Sequence, residues 1–116
     1  MNLKYIVIAL VVLAIPAAFY FSRGEVVVVH MSGSKYEPSR LTIAKGTTVR
    51  FANEATSSGD FWPASNIHPR HEIYPEFDPK KAISQGDSWD FRFDKKGTWY
   101  MHDHIDPTIT GVIVVE

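Results

Sequence analysis

Short stretches of alternating apolar and polar residues, separated by turn residues, most constrain the fold of this 116-residue chain. Residues 47–53 place Val49 and Phe51 on one face and Arg50 on the other, as in a half-buried strand. Residues 89–93 alternate in the same way and direct three aromatic side chains toward a core. No amphipathic helix of useful length follows residue 25. Six or seven such strands in about 90 residues predict an antiparallel β-sandwich.

Three local features lead to more specific predictions. The four consecutive valines at 26–29 show no alternation, which predicts a strand buried on both faces. Residues 94–97 read Asp-Lys-Lys-Gly, a hairpin-type turn between two strands. Phe77, in the loop at 76–84, is expected to be a buried anchor.

An unbroken apolar run from residue 5 to residue 21 precedes the strand-rich part. Its length is at the short limit of the about 17–25 residues that span a bilayer. Aromatic residues follow Ala17 and Ala18, which favours an uncleaved anchor over a signal peptide. The chain is therefore divided into a membrane anchor or signal segment, residues 1–24, and a globular domain, residues 25–116. We expect this domain to lie on the extracytoplasmic (periplasmic or extracellular) side of the membrane.

Composition excludes several classes of function. The length allows one domain. The formal charge of −1 provides no basic excess to neutralise phosphates, so nucleic acid is not an expected partner. Cysteine is absent, which excludes disulfides, cysteine-based zinc sites and thiolate chemistry.

Four of the five histidines lie in two short segments. His68 and His71 are three residues apart in a proline-containing stretch, and His102 and His104 flank Asp103 where a strand is expected to end. Successive side chains of a strand point to opposite faces, so His102 and His104 share a face and Asp103 points away. Imidazole is a ligand that suits Cu, Zn, Fe and Ni. We predict that the four histidines form a metal site. His71, His102 and His104 are the predicted ligands, and His68 is either the fourth ligand or a residue that supports them.

Other polar and aromatic residues are assigned secondary roles. Asp103 is a candidate to accept a ring N–H and orient an imidazole, and Asp106 is a candidate oxygen ligand. His30, alone at the end of an apolar strand, is interpreted as structural. Three aromatic residues near the predicted site are interpreted as core residues, the alternative being that they line the metal or relay electrons: Trp62, Trp99 and Tyr100.

Two longer patterns resemble those of cupredoxin domains. Residues 36–53 read Tyr-x-Pro-x-x-Leu-Thr-Ile-x-x-Gly-Thr-x-Val-x-Phe-x-Asn, and residues 86–99 read Gly-x-Ser-x-x-Phe-x-Phe-x-x-x-Gly-Thr-Trp. The resemblance covers about residues 25–116 and implies a Greek-key β-sandwich with a metal site at one end. It also implies that the family's copper-binding cysteine falls on Asp103 and its frequent methionine on Ile109. A blue copper centre, which needs the thiolate, is therefore excluded.

The histidine segments are similar to those of multicopper oxidases in the same superfamily. His68-Pro-Arg-His71 resembles their His-Pro-x-His segment, and His102-Asp103-His104-Ile resembles their His-Cys-His-Ile segment. This resemblance implies that His71, His102 and His104 correspond to ligands of the type 2/type 3 copper cluster, and His68 to a type 1 ligand. Other residues occupy the remaining histidine positions, so oxidase activity is not implied.

An all-imidazole site is typical of a pale type 2 copper centre, because Cu(II) outcompetes other divalent metals for such ligands; zinc is the alternative. The favoured function is a membrane-anchored copper protein that holds or transfers the metal without catalysis. Its partner would be a redox or copper-transfer protein. A small type 2 copper enzyme acting on oxygen, nitrite or superoxide, and a metal-free structural domain, are the two alternatives.

Overall fold

The computed structural model describes residues 25–68 and 73–116, which form two four-stranded sheets packed face to face. The first sheet has the order β2-β1-β4-β6 and the second the order β3-β8-β7-β5. The strands are β1 Val26–Gly33, β2 Lys35–Glu37, β3 Arg40–Ile43, β4 Thr48–Ser57, β5 Pro63–Ser65, β6 Ser88–Arg92, β7 Gly97–Asp103 and β8 Thr110–Val115. The predicted all-β sandwich is confirmed.

The predicted N-terminal anchor at residues 5–21, with its boundary at residue 24, lies outside the described residues. Across residues 25–68 and 73–116, no helix is long and apolar enough to cross a membrane.

Two of the strand pairs are parallel, so the prediction of an antiparallel sandwich is corrected. β1 runs parallel to β4, and β3 runs parallel to β8, with Leu41 opposite Ile113. All connections except β1–β2 and β7–β8 cross from one sheet to the other. Alternation along a strand reports which side chains face the core, but it carries no information about the direction of the neighbouring strand.

The valine-rich strand β1 alternates in burial, so the prediction that it is buried on both faces is wrong. Val27 and Val29 lie in the core, whereas Val26 is exposed and Val28 is half-buried. The first sheet has one face on the core and one face toward solvent, and β-branched residues are favourable on both faces of a strand.

The turn at residues 94–97 does not close a hairpin, which corrects a second prediction. β6 pairs with β4 in the first sheet, whereas β7 pairs with β5 and β8 in the second. The turn therefore carries the chain across the sandwich. Phe93, at the start of the crossing, is fully buried.

Phe77 is confirmed as a buried anchor for the long loop between β5 and β6. Its ring is fully buried, stacks on Phe91 with 5.5 Å between centroids, and meets Phe93 edge-on at 5.0 Å. Its carbonyl accepts the Ser65 N–H at 2.9 Å. Aromatic packing and this hydrogen bond hold the loop against both sheets, next to the end of β5.

Candidate metal centre

The end of β7 directs two of the predicted ligands away from the sandwich core. Met101 and Asp103 point inward, so the alternating residues His102 and His104 lie on the outer face of the second sheet. β5 pairs antiparallel with this segment, which places Ala64 opposite His102. The small methyl group of Ala64 leaves room for the imidazole on this face.

A third histidine comes from the loop after β5. One nitrogen from each ring of His68, His102 and His104 lies within 4.8 Å of the others, and we call these residues the three-histidine group. Nδ1 of His68 is 3.2 Å from Nε2 of His102. Two nitrogens bound tetrahedrally to one ion at about 2.0–2.1 Å would lie about 3.3 Å apart. The same separation is that of a hydrogen bond between the two rings, which a shared ion would replace.

The other residues of the predicted site are placed differently. His71 lies outside the described residues, so its role as a ligand stays a prediction. Asp106 accepts the Thr108 hydroxyl at 2.6 Å and the Thr108 N–H at 3.2 Å, and it is not a member of the three-histidine group.

Asn66 was not predicted from the sequence, although it touches the most buried of the three histidines. Its amide oxygen lies 2.9 Å from Nδ1 of His102, so that Nδ1 carries the proton and donates to it. This contact fixes the tautomer and leaves the lone pair of Nε2 facing His68. A neutral amide thus performs the orienting role that the sequence suggested for Asp103. In the sequence, the only indication of this role was that Asn66 lies two residues before the candidate ligand His68.

The same asparagine closes the loop that carries His68. Its N–H donates to the Tyr100 carbonyl, and its own carbonyl accepts the Ile73 N–H, both at 3.0 Å. The neighbouring Ser65 hydroxyl donates to the Tyr74 carbonyl at 2.8 Å. The two ends of the segment 67–73 are therefore held side by side, directly against β7.

Asp103 points into the sandwich and stabilises the backbone on either side of the metal centre. Its Oδ1 accepts the Trp62 N–H at 2.7 Å and the Ile105 N–H at 3.2 Å. Burial raises the pKa of this carboxyl above its usual range. Burial first, and then the charge of Asp103, raises the pKa of the buried Tyr36.

Trp62 forms one wall of the centre, because its ring packs on His104 with 4.7 Å between centroids. Its Nε1–H donates to Asp78 at 2.7 Å. The interpretation of three nearby aromatic residues as core is correct for Trp99, which packs against the core. It is wrong for Tyr100, which is 56 % exposed, and for Trp62, which packs on His104 instead. His30 is exposed and pairs with Glu54 on the first sheet, as expected of a structural histidine.

Comparison with known proteins agrees with this architecture. The family model described as cupredoxin-like domain matches residues 4–115. The chain belongs to the cupredoxin-like domain family. No curated protein sequence matches it significantly.

Solved cupredoxin structures have the same fold. A purple cupredoxin from Nitrosopumilus maritimus is 20 % identical with a TM-score of 0.66, and the match covers 78 % of this chain and 99 % of that one. Amicyanin from Paracoccus versutus is 20 % identical with a TM-score of 0.64, over 90 % and 87 % of the two chains.

A copper-containing nitrite reductase from Thermus scotoductus is also similar to this cupredoxin-like chain. It is 28 % identical with a TM-score of 0.64 over 78 % of this chain. The match spans only 22 % of the reductase, so it corresponds to one part of that larger protein.

Replacing Asn66 by leucine should weaken copper binding by about 10- to 100-fold, because the variant cannot orient His102. Asn66→Asp retains an acceptor oxygen and should remain close to the wild type. Chelator competition measures the affinity, and ¹⁵N NMR of the metal-free protein reports the His102 tautomer. Equal affinity and an unchanged tautomer in Asn66→Leu would contradict the orienting role.

Replacing Asp103 by asparagine should remove a loss of folding stability that the wild type undergoes as the pH rises. A carboxyl whose native pKa is raised stabilises the fold below its unfolded pKa of about 3.9, and this contribution is lost as pH rises through the native pKa. Asparagine keeps the acceptor oxygen and cannot ionise. The unfolding free energy of the variant should therefore rise relative to that of the wild type as the pH increases from about 3.9 through the native pKa of Asp103. Urea unfolding of metal-free protein between pH 3.5 and 8 measures it.

The exposed aspartate Asp87 supplies the matched control for that measurement, through Asp87→Asn. If the unfolding free energies of wild type and Asp103→Asn depended on pH with the same slope, this would contradict a raised pKa of Asp103.

Proposed function

We propose that the chain binds one copper ion through His68, His102 and His104 and serves to hold or hand on that copper. One observation carries the proposal: three imidazole nitrogens lie within 4.8 Å of one another. The donor set fits the metal, because neutral imidazoles bind Cu(II) more tightly than the other divalent first-row metals. His71 is the proposed fourth ligand.

Two features of the described residues support a colourless or pale site. The position that the family resemblance equates with cysteine holds Asp103, and that carboxylate is engaged with backbone N–H groups inside the sandwich. The candidate ligands lie instead on the outer face of the same strand. When bound, copper in imidazole-only coordination would supply a type 2 centre capable of one-electron redox chemistry.

The exposure of the group supports a role in holding or transferring copper. His102 is buried and fixed by Asn66, whereas His104 is half-buried and His68 is exposed. A site with one fixed ligand and one ligand at the surface can be reached by a second protein without opening the core. The copper proteins among the structural neighbours are consistent with copper as the metal.

The first experiment loads the full-length chain with Cu(II) and measures stoichiometry and the EPR spectrum. We expect one copper per chain with a type 2 signal, and loss of both in the double variant His102→Ala/His104→Ala. His30→Ala is the matched control, because that histidine lies on the other sheet. Circular dichroism verifies that each variant is folded.

Four results would overturn the proposal. Copper retained by the double variant would place the metal elsewhere, and tighter binding of zinc than of copper would change its identity. Absence of stoichiometric binding of either metal would favour a metal-free structural domain. Catalytic reduction of nitrite or consumption of oxygen by the loaded chain would replace the carrier function with an enzyme.

We further propose that residues 5–21 anchor the protein in a membrane, with the cupredoxin-like domain on the extracytoplasmic side. The length and apolarity of that run support this location. In membrane fractionation, the full-length chain should sediment with the membrane, and a chain lacking residues 5–21 should be released. Release of the full-length chain by a salt wash alone would contradict anchoring.

A further inference from the structure

A groove of about 420 Å³ crosses the outer face of the second sheet beside the three-histidine group. Its lining includes one transverse row of residues set by strand register. Arg40 on β3 is opposite Val112 on β8, and Val112 is opposite Tyr100 on β7. Asn66 continues the row, because its N–H donates to the Tyr100 carbonyl.

In this row the short apolar side chain of Val112 lies between the longer side chains of Arg40 and Tyr100. Val112 lies on the outer face, yet it is only 9 % exposed, because the longer side chains of Arg40 and Tyr100 flank it. Tyr100 is 56 % exposed and offers its ring to the groove. A flat apolar body would bury the valine and contact the tyrosine without disturbing the sheet.

Arg40 places a positively charged guanidinium group at one side of the groove. Within the part of the chain that the structure describes, no carboxylate pairs with Arg40. Arg50 and Arg92, by contrast, each bind an aspartate at 2.8 Å. A guanidinium group presents a planar set of donors that matches a carboxylate bidentately.

The far end of the groove adjoins the candidate metal centre. Thr110 lines the groove and is directly opposite His102 in the β7–β8 register. Asn66 lines the same end and accepts the Nδ1–H of His102. A molecule in the groove therefore shares two neighbours with the most buried histidine of the group.

We propose that this groove binds a small monocarboxylate with a flat apolar body. The carboxylate pairs with Arg40, the body rests on Val112 against Tyr100, and the opposite end points toward Thr110 and Asn66. Such a ligand would lie next to a metal held by the three-histidine group. The binding itself requires no metal, so the inference extends beyond the proposed copper function and does not rest on it.

The test titrates sodium benzoate into the full-length, metal-free chain and follows the NMR signals of Tyr100, Val112 and Thr110. We expect saturable shifts at these residues and weaker binding at higher salt. Arg40→Gln should weaken binding at least tenfold, since it removes the charged donors that pair with the carboxylate. Benzamide, which has the same shape and no charge, should also bind at least tenfold more weakly.

Arg92→Gln removes an arginine of the first sheet and should leave benzoate affinity unchanged. Equal affinity of wild type and Arg40→Gln would overturn the inference, and so would shifts confined to residues outside the groove. Because Arg40 is exposed, its variant should fold and keep one copper per chain. Loss of benzoate binding is therefore separable from any failure of the copper site.

Discussion

The pairing of β5 with β7 is the interaction on which the candidate site depends. Its register sets Ala64 opposite His102, so that alternate residues of β5 face the imidazoles. A slip of one residue would turn the opposite face of β5 toward them. Only three residues of β5 carry this pairing, and the hydrogen bonds of Ser65 and Asn66 with Tyr74, Ile73 and Tyr100 extend it.

Strand parity separates two chemical environments that are adjacent in sequence. Asp103 points into the sandwich, where burial raises its pKa and backbone N–H groups satisfy one of its oxygens. His102 and His104 belong to the other face, where the loop after β5 supplies His68. The position that the resemblance assigns to a copper-binding cysteine therefore holds a carboxylate inside the sandwich, whereas the imidazoles lie on its outer face.

Much of this could be predicted from sequence, since alternation directly encodes which side chains are buried. The inward orientation of Val49 and Phe51, and the shared face of His102 and His104, followed from it. The parallel pairs and the crossing after β6 did not, because they depend on which strands become neighbours. Asn66 was missed for the same reason, since its contact with His102 joins residues 36 positions apart.

The location of β5 at the edge of its sheet has a kinetic consequence. An edge strand of three residues can detach by local opening, at a free-energy cost below that of global unfolding. Such an opening would withdraw Asn66 and the His68 loop together, while His102 and His104 remain on β7. A metal held there would then lose its third histidine, while its other two ligands and the rest of the sandwich stay in place.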